Sequence, residues 1–280
     1  MGASKASNFF ADPVNRERFS PQKNDLTQPQ LLNKGATMKL KILYEDNHLI
    51  AVEKPPGILS QGDYSGEASM IEVVKEYIKE KYQKPGNVFL GLVHRIDRPV
   101  SGAMVFARTS KAATRLHQSF LKDEVAKAYL AIVPWHGSLT EEWQLAEHFL
   151  QKARGKSEVF EKDGKTRKRA ALRFRLLHRE ESMALVAVHL LTGRKHQIRA
   201  QLAYLGHPIW GDDLYGSLVH SPEGIMLHSC LLSIPHPTQK EELLFQAPIP
   251  ERFASVMEIA REDEKNFIDI IENEISAYKK

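Results

Sequence analysis

The chain has 280 residues, enough for one large domain or two small ones in which roughly three quarters of the unfolded surface is buried. Its composition, 42% hydrophobic and 26% charged, argues against a disordered chain, and no apolar run approaches the roughly 20 residues of a membrane-spanning helix. A formal charge of +4 is too mild to establish a nucleic-acid partner alone, and the single cysteine, Cys230, excludes an intramolecular disulfide framework and fits a reducing cytoplasm.

Residues 1–37 are rich in Ser, Asn, Gln, Lys and Pro and carry no period of 2 or 3.6, which predicts a flexible tail before a domain over residues 38–280. The segment holds no signal-peptide apolar region. The Met1-Gly2 opening is followed by Ala6 where a myristoylation site needs Ser or Thr. Met38 stands just ahead of the first periodic segment and is an alternative start. From there the pattern predicts strands over Leu40 to Tyr44 and His48 to Glu53, joined through the polar turn Glu45-Asp46-Asn47 as a hairpin that ends at Lys54-Pro55-Pro56-Gly57. Ser69 with Glu72 forms a capping-box pattern, and Ile71, Val74 and Ile78 continue at helical spacing to about Tyr82.

Val88 to Val93 reads as a buried strand and Ala103 to Ala107 as another, which places the intervening His94-Arg95-Ile96-Asp97-Arg98-Pro99-Val100-Ser101-Gly102 on a loop anchored at both ends. Here one carboxylate, Asp97, stands between two guanidiniums in the sequence, and a nearby opposite charge favours the ionised form of a carboxylate. Pro99 locks its own φ, while Gly102 permits a backbone conformation closed to other residues. Taken alone, Arg-x-Asp is a common surface ion pair worth little. A kinase catalytic loop is set aside because Ile96 interrupts His-Arg-Asp and no glycine-rich phosphate loop precedes it.

Ala112, Leu116 and Phe120 mark a second helix. Strands are predicted over Val125 to Val133, Ala170 to Leu177 and Met183 to Leu190, then a helix from His196 to Leu205 stopped by Gly206. The segment after Pro250 is amphipathic, with Phe253, Val256 and Ala260, then Phe267, Ile271 and Ile275. Hairpin-joined strands with inserted helices predict an α+β fold around a mixed, largely antiparallel sheet. Between Lys152 and Arg175 ten Lys or Arg stand against three acids. The core of this run, Lys165, Arg167, Lys168 and Arg169, is either a phosphate-tracking patch or a solvated hairpin tip. The twelve histidines show no metal-ligand spacing, so no metal is expected.

The stretch His94 to Gly102 resembles the active-site motif of the RluA-type RNA pseudouridine synthases, with Ile96 and Val100 as mild departures. Three further blocks fall in the order that this family uses: Ile42 to Gly57, Ala126-Lys127-Ala128-Tyr129-Leu130-Ala131, and Leu191 to Arg199 followed by Gly206 to Asp212. The resemblance spans about residues 40–250. It implies a catalytic domain whose central sheet carries an RNA cleft, in the subtype without a separate N-terminal RNA-binding domain. It also implies a cytoplasmic isomerase that needs no cofactor and no obligatory protein partner, expected to be monomeric and to act on structured ribosomal or transfer RNA.

By the same resemblance Asp97 is the acid-base or nucleophilic group, which fits a reaction that breaks and remakes one bond without redox change or net hydrolysis. A stacked uridine must first be flipped out. The resemblance gives Arg95 the place that the base vacates, with a phosphate contact as the plainer alternative. Tyr129 would stack on the flipped uracil, although strand tyrosines are more often core. Arg199 would pair with Asp97, and a bidentate fork between them is expected. Arg194 and Lys195 are candidates for phosphate contact, with ordinary loop solvation as the alternative, and Lys54 reads as structural rather than catalytic. An RNA-binding or chaperone protein that kept the synthase fold is the competing reading.

Overall fold

A computed structural model describes residues 40–64 and 66–278; the expected tail over residues 1–37 and the alternative start at Met38 lie outside the described residues. In chain order the elements are β1 (Lys41–Glu45), β2 (Leu49–Lys54), α1 (Met70–Lys81), β3 (Gly91–Leu92), β4 (Ser101–Ala107), α2 (Ser110–Leu121), β5 (Ala126–Pro134), β6 (Gln144–Ala153), β7 (Lys156–Phe160), β8 (Lys168–Arg179), β9 (Met183–Leu190), α3 (Gln197–Tyr204), β10 (Leu227–Pro235), β11 (Glu242–Gln246), α4 (Glu251–Ala254) and α5 (Arg261–Tyr278).

The strands form one sheet in the order β1-β2-β4-β10-β5-β9-β8-β6-β7, with β3 on β4 and β11 on β10. Only β4 and β10 run parallel, so the mixed, largely antiparallel α+β expectation holds. Alternation along the strands sorts the core into two faces. Ile50, Val52, Met104, Phe106, Tyr129, Ala131 and Val188 pack with Val74 and Ile78 of α1 and with Ile198 and Leu202 of α3. On the other face, Leu49, Ala51, Val105 and Ala107 meet α2 through Ala112 and Leu116, while Ala128, Leu130 and Ile132 meet α5 through Phe267 and Ile271. Among the described residues no helix is long and apolar enough to cross a membrane.

Local chemistry sets the boundaries. At the start of α1 the Glu72 carboxylate accepts from the Ser69 backbone N–H at 2.9 Å and from its hydroxyl at 3.0 Å, as the capping pattern predicts. The strand expected over Val88 to Val93 shrinks to Gly91–Leu92, and it stops after Leu92 where the next donor on β4, the Val105 N–H, is taken by the His94 ring Nε2 at 3.0 Å. Gly102 has φ +124°, and a Cβ there would run into the backbone of Ser229, its partner across the parallel β4–β10 contact. Only glycine lets the two strands approach this closely.

The strands β6, β7, β10 and β11 were not expected. The β6 sequence gives no clear strand signal because the face it shares with α3 is partly polar: His148 and Gln201 bond each other there at 2.9 Å. In β10 both faces are buried and His228, Ser229 and Ser233 are buried with the apolar residues, so the sequence shows neither an alternation nor an unbroken apolar run.

Candidate active site

Asp97 sits where the 94–102 loop crosses the face of the sheet that carries Tyr129. The loop backbone is held on both sides of the carboxylate by the chain that leaves β2. Ser60 Oγ donates to the Ile96 carbonyl at 2.7 Å and accepts from the Ile96 N–H at 3.1 Å, while the Gly57 N–H donates to the Arg98 carbonyl at 2.8 Å. Beneath them lies Lys54, fully buried, whose ammonium donates to the carbonyls of Pro55 (3.0 Å), Arg98 (3.1 Å) and Val100 (2.7 Å). Burial pulls the pKa of this ammonium down to about 7, and the charge of Asp97 opposes the shift. The contacts fit the structural part that the sequence suggests for Lys54.

The two guanidiniums beside Asp97 in the sequence do not pair with it. Arg95 is exposed and donates to Gln61 Oε1 at 2.8 Å; Arg98 donates to the Gly57 carbonyl at 2.9 Å and pairs with Glu67. In this extended turn the i±1 and i±2 side chains fan away from the carboxylate toward the chain after β2. The positive charge that reaches Asp97 comes instead from α3: Arg199 Nη1 lies 3.4 Å from Oδ2.

The expected fork between Arg199 and Asp97 is corrected by the same geometry. Arg199 gives its fork to Asp212, with Nε to Oδ2 at 2.7 Å and Nη2 to Oδ1 at 2.8 Å, and spares only Nη1 for Asp97. Asp212 is 1% exposed and the Asp97 side chain 31% exposed, so the buried carboxylate takes the two-bond arrangement and the open one takes the remaining donor. Hydrogen bonds and the charge of Asp212 raise the Arg199 pKa against the opposing effect of burial, which is the largest single influence on it.

Sequence reasoning quoted Asp212 only as part of a block and gave it no task. It also missed His196, whose Nε2 lies 3.7 Å from Asp97 Oδ2, and Tyr215, whose ring the Arg199 guanidinium covers at 5.1 Å. The one available signal was the spacing of His196 three residues before Arg199.

Tyr129 points to the same side, 8% exposed within the core cluster, and lies close enough for the charge of Asp97 to act on it. Burial pushes its phenol pKa up to about 12, so the ring is neutral, with a hydrogen bond to Ser229. Tyr129 is thus both a core residue and a neighbour of Asp97, where the sequence offered these as alternatives.

The basic run is not gathered at this site. Arg169 pairs with Glu147 and shares its sheet face with Arg173, which bonds Glu274 of α5; this is the side opposite Tyr129. Arg167 donates to the Lys162 carbonyl at 2.9 Å and lies 3.7 Å over the Phe160 ring. Lys165 and Lys168 are exposed neighbours of these two. Nearer α3, the Arg194 Nε donates to the Arg169 carbonyl at 2.9 Å and Lys195 Nζ to the Gly155 carbonyl at 3.0 Å.

Around Asp97 the structure thus gathers a partly open carboxylate, an aromatic ring, a buried guanidinium and, two residues away in the chain, an exposed arginine. Comparisons with known proteins give the family. A family model for RNA pseudouridylate synthases matches residues 48–204. Ribosomal large subunit pseudouridine synthase C of Vibrio vulnificus is 30% identical over 258 residues, covering 89% of this chain and 77% of that protein. The Haemophilus influenzae synthase C is 31% identical, covering 86% and 75%. Synthase D of Vibrio cholerae is 30% identical, covering 81% and 73%. Among solved structures, human RNA pseudouridylate synthase domain containing 1 shares the fold, with a TM-score of 0.65 at 21% identity over 85% of this chain and 98% of that one. The chain therefore belongs to the RNA pseudouridylate synthase family, whose members are isomerases.

Proposed function

We propose that this protein converts uridine to pseudouridine in ribosomal RNA, with Asp97 as the group that carries the chemistry. The observation that supports this most directly is the setting of Asp97. Arg199 and His196 both approach Oδ2, and Oδ1 takes no hydrogen bond among the described residues, so one carboxylate oxygen is held while the other faces the open side. The reaction breaks the bond from ribose C1′ to uracil N1, turns the base, and joins C1′ to uracil C5, with the C5 proton leaving and N1 gaining one. An ionised group placed against the sugar and the ring suffices for this, acting as base or nucleophile.

In this reading Arg95, bonded to Gln61, would enter the space that a flipped uridine leaves, and Tyr129 would stack on the base. Ribosomal RNA is favoured over transfer RNA by the names of the relatives at about 30% identity. An RNA chaperone that kept the fold would have no use for a carboxylate whose backbone is fastened by a buried lysine and serine.

Asp97→Asn keeps shape and removes charge. Its turnover on ribosomal RNA is expected below about one per cent of wild type, general acid-base effects being roughly 10²–10⁴-fold, with RNA affinity retained. Residual turnover above that level overturns the role of Asp97. Pseudouridine-specific sequencing of RNA from a deletion strain identifies the target; loss of a transfer-RNA site with every ribosomal site intact overturns the choice of RNA.

A further inference from the structure

His196 is the residue before α3, with φ 53° and ψ 24°, a left-handed conformation that residues with side chains rarely adopt and keep only where their surroundings over-determine it. The surroundings do so here. Ser157 Oγ donates to the Lys195 carbonyl at 2.6 Å, and Gln197 Oε1 accepts from the Arg194 N–H at 3.0 Å and the Thr192 hydroxyl at 2.8 Å, closing the turn on both sides of the ring.

One hydrogen-bond chain reaches this ring through Tyr215 and favours a direction for its proton. The Ser157 N–H donates to Tyr215 Oη at 2.7 Å. With that lone pair used, the Tyr215 O–H is free to donate to His196 Nδ1, 3.0 Å away. A neutral ring that accepts at Nδ1 carries its proton on Nε2, and Nε2 is the atom 3.7 Å from Asp97 Oδ2. Catalytic contacts often stand long in the free enzyme and tighten around substrate.

The charged groups around the ring are Asp97, Arg199, Lys195 and Asp212, with Tyr215 stacked edge-on at 5.8 Å. Burial is the largest influence and pushes the imidazole below its usual pKa; Arg199 and Lys195 add to this, and Asp97 and Asp212 oppose it. The ring is therefore a neutral donor at neutral pH.

We propose that His196 is a positioning residue for Asp97: an imidazole locked by Tyr215 as its Nε2–H tautomer, which with Arg199 fixes Oδ2 and leaves Oδ1 to the substrate. Nothing in the relatives' names or the family match assigns it this task, and it rests on the reading that Asp97 carries the chemistry.

Nitrogen-15 histidine NMR of the full chain, with the His196 signals assigned by their loss in His196→Asn, reads the tautomer without substrate. The expected spectrum at pH 7 has Nε2 protonated and Nδ1 bare, and Tyr215→Phe releases part of the population to the other tautomer. A doubly protonated ring, or the Nδ1–H tautomer, in the unaltered protein overturns the proposal.

In single-turnover assays His196→Asn, which tolerates the left-handed backbone but is too short to reach Asp97, is expected to lower kcat about 10–100-fold, the worth of one hydrogen bond to a charged group, with KM and Tm little changed. His196→Gln, whose amide N–H reaches where Nε2 stood, is expected to recover most of that loss. A loss in both variants that tracks Tm, or wild-type kcat in His196→Asn, makes the residue merely structural and overturns the proposal. Asp97→Asn separates the two readings: if it turns over, the role of Asp97 falls; if it is dead while His196→Asn is fully active, only the inference on His196 falls.

Discussion

The loop around Asp97 and the basic run from Lys152 to Arg175 are both dense in charge, yet they are built in opposite ways. In the loop, the charged neighbours in sequence turn outward and the carboxylate meets partners that are distant in the chain: Arg199, 102 residues on, and behind it the buried Asp212. At the core of the basic run, from Lys165 to Arg169, the side chains find nearer and exposed company: Arg167 bonds a carbonyl five residues back and Arg169 an exposed acid on the next strand, while farther along the run Arg173 alone reaches a distant buried acid, Glu274. Exposed pairs of the second kind hold little energy, whereas groups of the first kind are committed once folding has stripped their water. The difference teaches that charge density in a sequence does not report where the protein has invested its electrostatics.

The strongest way to break this comparison is at the buried end of the loop network. Asp212→Asn removes one partner of a buried pair and leaves the Arg199 fork half filled, so a loss of about 3–5 kcal/mol in urea unfolding is expected. Single-turnover rate should fall with it, because Arg199 Nη1 is aimed at Asp97 by the same fork. A variant as stable and as fast as wild type would show that the pair is incidental.

A smaller effect is expected behind the loop. His228 accepts at Nδ1 from Ser101 Oγ (2.8 Å), and Ser101 Oγ in turn accepts from Arg252 at 2.7 Å. Burial pushes the His228 pKa down to about 3 from 6.5. The unfolded chain gains this proton near pH 6.5 and the folded chain only near pH 3. The stability contributed by the neutral ring is therefore complete above pH 6.5 and lost as pH falls toward 3, ~3 kcal/mol of it by pH 4.5. Melting curves from pH 7 to pH 4 should fall less steeply for His228→Gln than for wild type; equal slopes would remove the ring from the acid response.

The smallest effect on the fold is expected in the basic run. Neutralising Lys165, Arg167, Lys168 and Arg169 together should change stability by less than about 1 kcal/mol. If these groups contact phosphate, the dependence of RNA binding on salt flattens by roughly 0.7–0.9 log units per lost contact, which a titration at several salt concentrations measures. An unchanged slope makes the run a solvated edge and sharpens the contrast with the loop.

What could be read from the chain follows the same division. The helices α1 and α2 announce themselves by setting an apolar face against a polar one, β8 by partial alternation, and β2, β4, β5 and β9 as apolar runs of strand length that are buried on both faces or nearly so. The strand β10 does not, because its buried faces hold His228, Ser229 and Ser233 among the apolar residues, and β6 spends part of its inward face on His148. At the candidate site, the blocks that hold Asp97, Tyr129 and Arg199 stand in a recognisable order in the sequence, and the structure brings these three together. The preference of Arg199 for Asp212, the tautomer of His196 and the grip of Lys54 were not legible there. They depend on which of two carboxylates is buried, on a backbone N–H at Ser157, and on three carbonyls, none of which has a signature in residue type.

The placing of β10 has a consequence for how the protein is made. This strand is made well after both of its neighbours, yet it lies between β4, which follows Asp97, and β5, which carries Tyr129. Until it is inserted, the two halves of the sheet share no ladder, and Gly102 has no Ser229 to pack against. The 94–102 loop is thus complete in the chain well before the surface around it, and that surface needs the pairing of strands more than 90 residues apart, a slow kind of closure. The working geometry around Asp97 accordingly depends on contacts between segments far apart in the chain rather than on the loop itself.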